Sequence, residues 1–191
     1  MDTLVLDKTK TALVVIDLQK GIVNRGVGPH TSADVVKNAA ALADAFRKNM
    51  MPVFLVRVTP SSDRKDALHP DADKPMPVHT PPADWAEIVS EMGPKEGDFI
   101  ITKRQWGAFY GTELDLQMRR RGITTIVLCG ISTNIGVEST ARHAYELGYH
   151  QIFAEDATAA LSAEEHSFAM AHIFPRMGKV RSTADVLAVL Q

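Results

Sequence analysis

Along this chain, short and nearly continuous apolar runs alternate with longer stretches in which apolar side chains recur every three or four residues. Residues 12–16, 53–58, 99–101, 125–129 and 151–154 are runs of the first kind, and Lys179 to Arg181, around the single apolar Val180, is read as a further short strand. Such runs, without in-and-out alternation, predict strands buried on both faces. The second kind is clearest where Val35, Val36, Ala39, Leu42, Ala43 and Phe46 follow Thr31 and Ser32. That spacing predicts a helix with one apolar face and a hydroxyl cap. Further helices are expected over about 84–92, from a Thr112 cap to just before Gly122, and over about 135–147 with Gly148 as the stop. A Ser162-x-x-Glu165 capping box opens another, and residues 184–190 form the last. Residues 59–82 carry six prolines and neither period, so they read as a long ordered loop, of the kind usually tied to function.

Strand and helix alternate throughout, with no internal repeat and no boundary. The expected fold is therefore α/β, a three-layer doubly wound domain spanning residues 1–191 around a six-stranded, mainly parallel sheet. In such sheets ligands bind beyond the carboxyl ends of the strands, where strand order reverses. The candidate positions are then Asp17 and Gln19 after the first strand, Thr59 after the second and Lys103 after the third. Ile131, Ser132, Thr133, Asn134, Ile135 and Gly136 follow the fourth, and Asp156 the fifth.

Composition narrows the partners. With 21 Lys and Arg against 23 Asp and Glu in 191 residues, the formal charge is −2, and no extended basic field exists to hold a nucleic acid backbone. No apolar run reaches the length of a membrane span, and the first residues lack the basic-then-apolar order of a signal peptide. A cytoplasmic protein with a small-molecule substrate is expected. The single cysteine, Cys129, lies inside the fourth run and reads as a buried apolar residue.

Three separated motifs then fall in order, each at a predicted strand end. VVIDLQ surrounds Asp17, ITKRQWGAF surrounds Lys103, and VLCGISTNIGVESTARHAYELGY is followed by AEDATAALSAEEH. Together they resemble the isochorismatase-like hydrolases, from Thr11 to Leu187. Most members of that family are cysteine hydrolases with an Asp, a Lys and a nucleophilic Cys at the start of the helix after the fourth strand. The matching position here, in TNIGVEST, is Gly136. The resemblance thus implies the branch that includes isochorismatases proper, which hydrolyse the vinyl ether of an enolpyruvyl group without a covalent intermediate. It also implies a non-proline cis peptide at Ile131-Ser132, and a homo-oligomer.

A covalent thioester route requires a thiolate, which Gly136 cannot supply. Asp17 is then the expected proton donor. A Lys103 ammonium about 4 Å away would favour its ionised form by about 4 kcal/mol at an effective dielectric of about 20, while burial and an anionic substrate act in the opposite direction. Backbone N–H groups around residues 135–137 are expected to accept a carboxylate or oxyanion. Trp106 and Phe109, with Tyr110, either wall the substrate pocket or pack a subunit contact. Gln19 and residues Ile131 to Ile135 complete the expected substrate-binding set.

No cofactor and no metal is expected. Asp66 and His69 stand three apart rather than two, with His79 downstream, unlike the Asp-x-His of the zinc-binding nicotinamidases that the resemblance brings in. His166 and His172 are six apart and do not share a helix face. The competing reading is a non-catalytic small-molecule-binding or scaffold protein that has lost the family cysteine.

Overall fold

A computed structural model describes residues 4–74 and 81–191; His79 lies outside them. The first apolar run forms β1 (Thr11–Ile16), buried at every position. It is flanked by β2 (Val53–Val58) and β4 (Thr125–Ile131), with β3 (Phe99–Lys103) beyond β2. On the other side of β4 lie β5 (His150–Ala159) and β6 (Lys179–Arg181), giving the order β3-β2-β1-β4-β5-β6. All five pairings are parallel. Strand order reverses between β1 and β4, so a crevice opens where these two strands end.

Successive residues of each strand point to opposite faces, and the core is accordingly divided in two. Leu13, Val15, Val53, Leu55, Val127 and Cys129 pack beneath α2 (Ser32–Lys48) and α6 (Thr183–Ala188). Ala12, Val14, Ile16, Phe54, Ile126 and Leu128 pack beneath α3 (Leu114–Arg120) and α4 (Glu138–Glu146). This double coverage explains why the strands lack polar alternation. The buried side of α2 is the predicted set from Val35 to Phe46, and Thr31 Oγ1 accepts the Asp34 N–H at 3.1 Å as its cap.

Several elements depart from the expectation. No helix forms over residues 84–92; a series of turns replaces it, and Ile88 bridges to Gln19. A short α1 (Lys20–Val23) follows β1 directly. The helix expected from residue 135 begins instead as a π-turn, Thr133–Val137, which runs into α4. After α5 (Ala163–Phe168) the chain again widens into a π-turn, Ala169–Ile173. The reciprocal capping box is found at Ser182 and Asp185, opening α6, whereas Ser162 only accepts from Glu165 N–H. β5 outruns its predicted length because its register against β4 shifts between Leu128 and Gly130: Phe153 pairs with Leu128, but Thr158 with Gly130. The extra residues form a bulge, which locally re-aims side chains.

Gly130 is required where β4 passes β1. It has φ +122°, and a Cβ there would lie 2.0 Å from the Ile16 carbonyl oxygen. No residue with a side chain fits that approach.

Candidate active site

The carboxyl ends of β1, β3 and β4 meet around Asp17. Its backbone is held in the left-handed region, φ 55°, and its N–H donates to the Val56 carbonyl at 2.9 Å. A non-glycine residue there carries a conformational cost that its surroundings must offset, a common feature of functional positions. Lys103, the last residue of β3, is 1% exposed and donates from Nζ to Asp17 Oδ2 at 2.8 Å and to the Trp106 carbonyl. Asp17 Oδ1 is also buried and meets no donor among the described residues. Burial therefore raises the Asp17 carboxyl to about 6, against the opposing pull of the Lys103 charge and hydrogen bond. The ion pair that the sequence anticipated is present, but its carboxylate is only weakly held in the charged form.

Gly136 completes the meeting point from the π-turn. A Cβ built on it would lie 3.0 Å from Ile16 Cγ2, 3.1 Å from Asp17 Oδ2 and 3.3 Å from Lys103 Nζ. Position 136 thus faces the ion pair directly, and glycine leaves the approach open. Thr140 Oγ1 donates to the Gly136 carbonyl at 2.7 Å and accepts the Ala108 N–H at 3.1 Å, which ties the turn after Lys103 to the turn that carries Gly136. The Ile131-Ser132 peptide is cis, as the resemblance implied.

Other expected residues take different positions. Gln19 is fully buried, with its amide donating to the Val58 carbonyl at 3.0 Å and accepting the Val58 N–H at 2.8 Å. It extends the β1–β2 pairing past the strand ends rather than presenting a free amide. The Ile135 and Val137 N–H groups both donate to the Ser132 carbonyl, so the π-turn takes up two of the three donors expected to meet an oxyanion. Phe109 is buried, tilted against Tyr149 and against His143 two turns along from Gly136. The Trp106 side chain is 57% exposed beside the site. Ile131 and Thr133 are buried, while Ser132, Asn134 and Ile135 are half-buried around the cis peptide. Asp156 Oδ1 accepts the Thr183 N–H at 2.6 Å and its carbonyl accepts from Asn38, fastening α6 and α2.

Cys129 is fully buried in β4, and burial pushes its thiol up to about 12. It is inert by both access and ionisation. Asp66 pairs with Arg104 at 2.7 Å and accepts the Ser61 N–H, which pins the start of the long loop to the chain just beyond Lys103. A cavity of about 500 Å³ lined by Leu4, Thr125, Tyr145 and His150 opens at the opposite, amino end of the strands.

The sequence sets His166 only against His172, and its actual partners come from elsewhere in the chain. His166 is 2% exposed; its Nδ1 meets Thr133 Oγ1 at 2.9 Å and its Nε2 meets Glu155 Oε1 at 3.0 Å. His30 Nε2 reaches the same Glu155 oxygen at 2.9 Å. The capping box that opens α5 was visible in the sequence, but not what His166 would face.

The isochorismatase domain matches residues 11–185 of the chain. The chain is 54% identical over 185 residues to an uncharacterized isochorismatase family protein, YecD, of Escherichia coli O157:H7, covering 97% of this chain and 98% of that one. It is 56% identical over 189 residues to YwoC, another such family protein from Bacillus subtilis, covering 98% and 97%. Its fold superposes on the structure of an isochorismatase family protein from Burkholderia thailandensis with a TM-score of 0.94 at 45% identity, over 99% of both chains.

Proposed function

The chain belongs to the isochorismatase family of hydrolases, and from that premise we propose that it hydrolyses a small anionic metabolite without a covalent enzyme intermediate, by vinyl ether hydrolysis of the isochorismate type. The observation that carries this reading is the buried Asp17 carboxyl, whose Oδ2 is held by Lys103 and faces a residue with no side chain, and whose Oδ1 meets no donor among the described residues. Gly136 occupies the position of the family's nucleophilic cysteine in this reading, and the inert Cys129 does not replace it.

Asp17, protonated at Oδ1, delivers its proton to the terminal methylene carbon of the enol ether. Positive charge then develops on the ether-bearing carbon, and water adds there. The resulting hemiketal expels the alcohol, giving a 2-oxo acid, and the proton released by water returns to Asp17. Lys103 holds Oδ2, so that the proton resides on the other oxygen, and its charge attracts the substrate carboxylate. Trp106 and residues Ile131, Ser132, Asn134 and Ile135 border the substrate, with Ser132 and Asn134 offering polar contacts. Gln19, Phe109 and Thr133 act at one remove, by holding the strand end, the helix and the turn. Trp106 and Tyr110, exposed at 57% and 75%, provide apolar surface for assembly with a second copy.

The test is a substrate screen with wild type and Asp17→Asn side by side, covering isochorismate, amides and ureido acids. Turnover of the vinyl ether that Asp17→Asn loses supports the mechanism. Turnover of amides or ureido acids instead overturns it, and inactivity on all of them with an intact fold assigns the protein to the binding or scaffold class.

A further inference from the structure

The geometry points to a binding site for a divalent first-row transition ion, zinc by the chemistry of its ligands, formed by His30, Glu155 and His166. The metal-capable atoms of these three residues lie within 4.8 Å of one another. The inference does not depend on the proposed hydrolytic mechanism.

Each ligand comes from a different part of the chain and is separately held. His30 follows the segment in which Gly28 and Ala160 exchange backbone hydrogen bonds of 2.9 and 3.0 Å, so the loop before α2 is fixed against the end of β5. Glu155 stands in the β5 bulge, closed by the Thr158 hydroxyl donating to the Glu155 carbonyl at 2.8 Å. His166 lies on α5 with Nδ1 engaged by Thr133 Oγ1, which leaves Nε2 directed at Glu155. That arrangement is the one metal-binding imidazoles adopt, with the far ring nitrogen fixed by an oxygen partner.

Two imidazole nitrogens and one carboxylate oxygen form a donor set common to zinc sites with an open fourth position. In the present structure both Nε2 atoms converge on Glu155 Oε1, at 2.9 and 3.0 Å. Ligand atoms of a tetrahedral zinc, bound at about 2.1 Å, stand about 3.4 Å apart, so each imidazole nitrogen needs to draw back from the carboxylate oxygen by only about half an ångström, and the three atoms already lie within 4.8 Å of one another. The tautomer shift this requires is accommodated in place. The Nε2 proton of His166 is replaced by one on Nδ1, and the Thr133 hydroxyl, which donates to a bare Nδ1, accepts from a protonated one. His166 is buried, but the His30 and Glu155 side chains are 29% and 35% exposed, which leaves a route for the ion and for a water ligand. A bound ion would lock the loop before α2, the β5 bulge and α5 together. Through Thr133 it would also brace the turn that carries Gly136.

Protein dialysed against a chelator and then freed of it is titrated with zinc chloride by calorimetry, alongside His30→Ala and Glu155→Gln, with circular dichroism verifying each fold. These positions are used because His166 is buried and its replacement endangers folding. The expected result is one equivalent bound with a Kd of about 10 μM or tighter, weakened at least about 100-fold in both variants. Zinc should raise the melting temperature of wild type but not of the variants. Binding weaker than this in wild type, or equal affinity in the variants, would show a hydrogen-bonded brace or other histidines at work, and overturns the site.

Discussion

Replacing Asp17 by Asn isolates the group on which the mechanism turns. Burial lifts this carboxyl from 3.8 to about 6, so the ionised form is disfavoured in the folded protein by about 3 kcal/mol relative to the unfolded chain. The folded pKa is the higher one, so the stabilisation is complete below the unfolded value and is lost as pH rises through about 6. Asparagine mimics the neutral acid and does not titrate. The variant should therefore be more stable than wild type at pH 7.5, by at most about 3 kcal/mol, and wild type should recover about 1 kcal/mol of that gap by pH 5. For a chain of this size, 1 kcal/mol corresponds to about 2–4 °C in Tm, within reach of calorimetry on both proteins at both pH values. Activity supplies the second readout. If protonated Asp17 is the donor, kcat/KM should rise about 20-fold from pH 7.5 to 5.5 with an apparent pKa near 6. Asp17→Asn should lower turnover by a factor of about 100 to 10,000. A gap that does not narrow as pH falls, or a rate that increases with pH through 6, would refute the assignment of Asp17 as an acid and make it a general base.

Two replacements of Gly136 probe the same region. Gly136→Ala places a Cβ 3.0 Å from Ile16 Cγ2 and 3.1 Å from Asp17 Oδ2; a stability loss of about 1–3 kcal/mol in chemical denaturation and a matching loss of turnover are expected. Gly136→Cys should become reactive to alkylating reagents without gaining amidase activity, which product detection by mass spectrometry can check. Ellman's reagent should leave native wild type unlabelled and fully active, because the Cys129 thiol is buried and raised to about 12, and should titrate one thiol after denaturation. Light scattering at micromolar concentration should give a species larger than the 20.9 kDa chain, since Trp106, Tyr110, Leu161 and Phe168 are each more than half exposed and large apolar groups left in water favour association; a pure monomer refutes that expectation.

The sequence alone determined the layered fold, because strands buried on both faces must be apolar at every position and helices covering them must carry an apolar stripe. That is why β1, β2 and α2 were legible almost to the residue, and why Asp17 and Lys103, polar groups just past or at the end of such runs, could be placed together near the sheet's carboxyl edge. The family motifs further marked Gly136 and the cis peptide before Ser132. Tertiary structure decided what local pattern does not encode. Gln19 looked available, yet its amide completes the edge between β1 and β2, and the N–H groups of Ile135 and Val137 are taken up by the Ser132 carbonyl in a π-turn that no apolar period announces. The β5 bulge likewise depends on register against β4, a relation between two strands rather than a property of either. His30 and Glu155 stand 125 positions apart in the chain, and only the folding of the loop before α2 onto the end of β5 brings them, with His166, around a single oxygen.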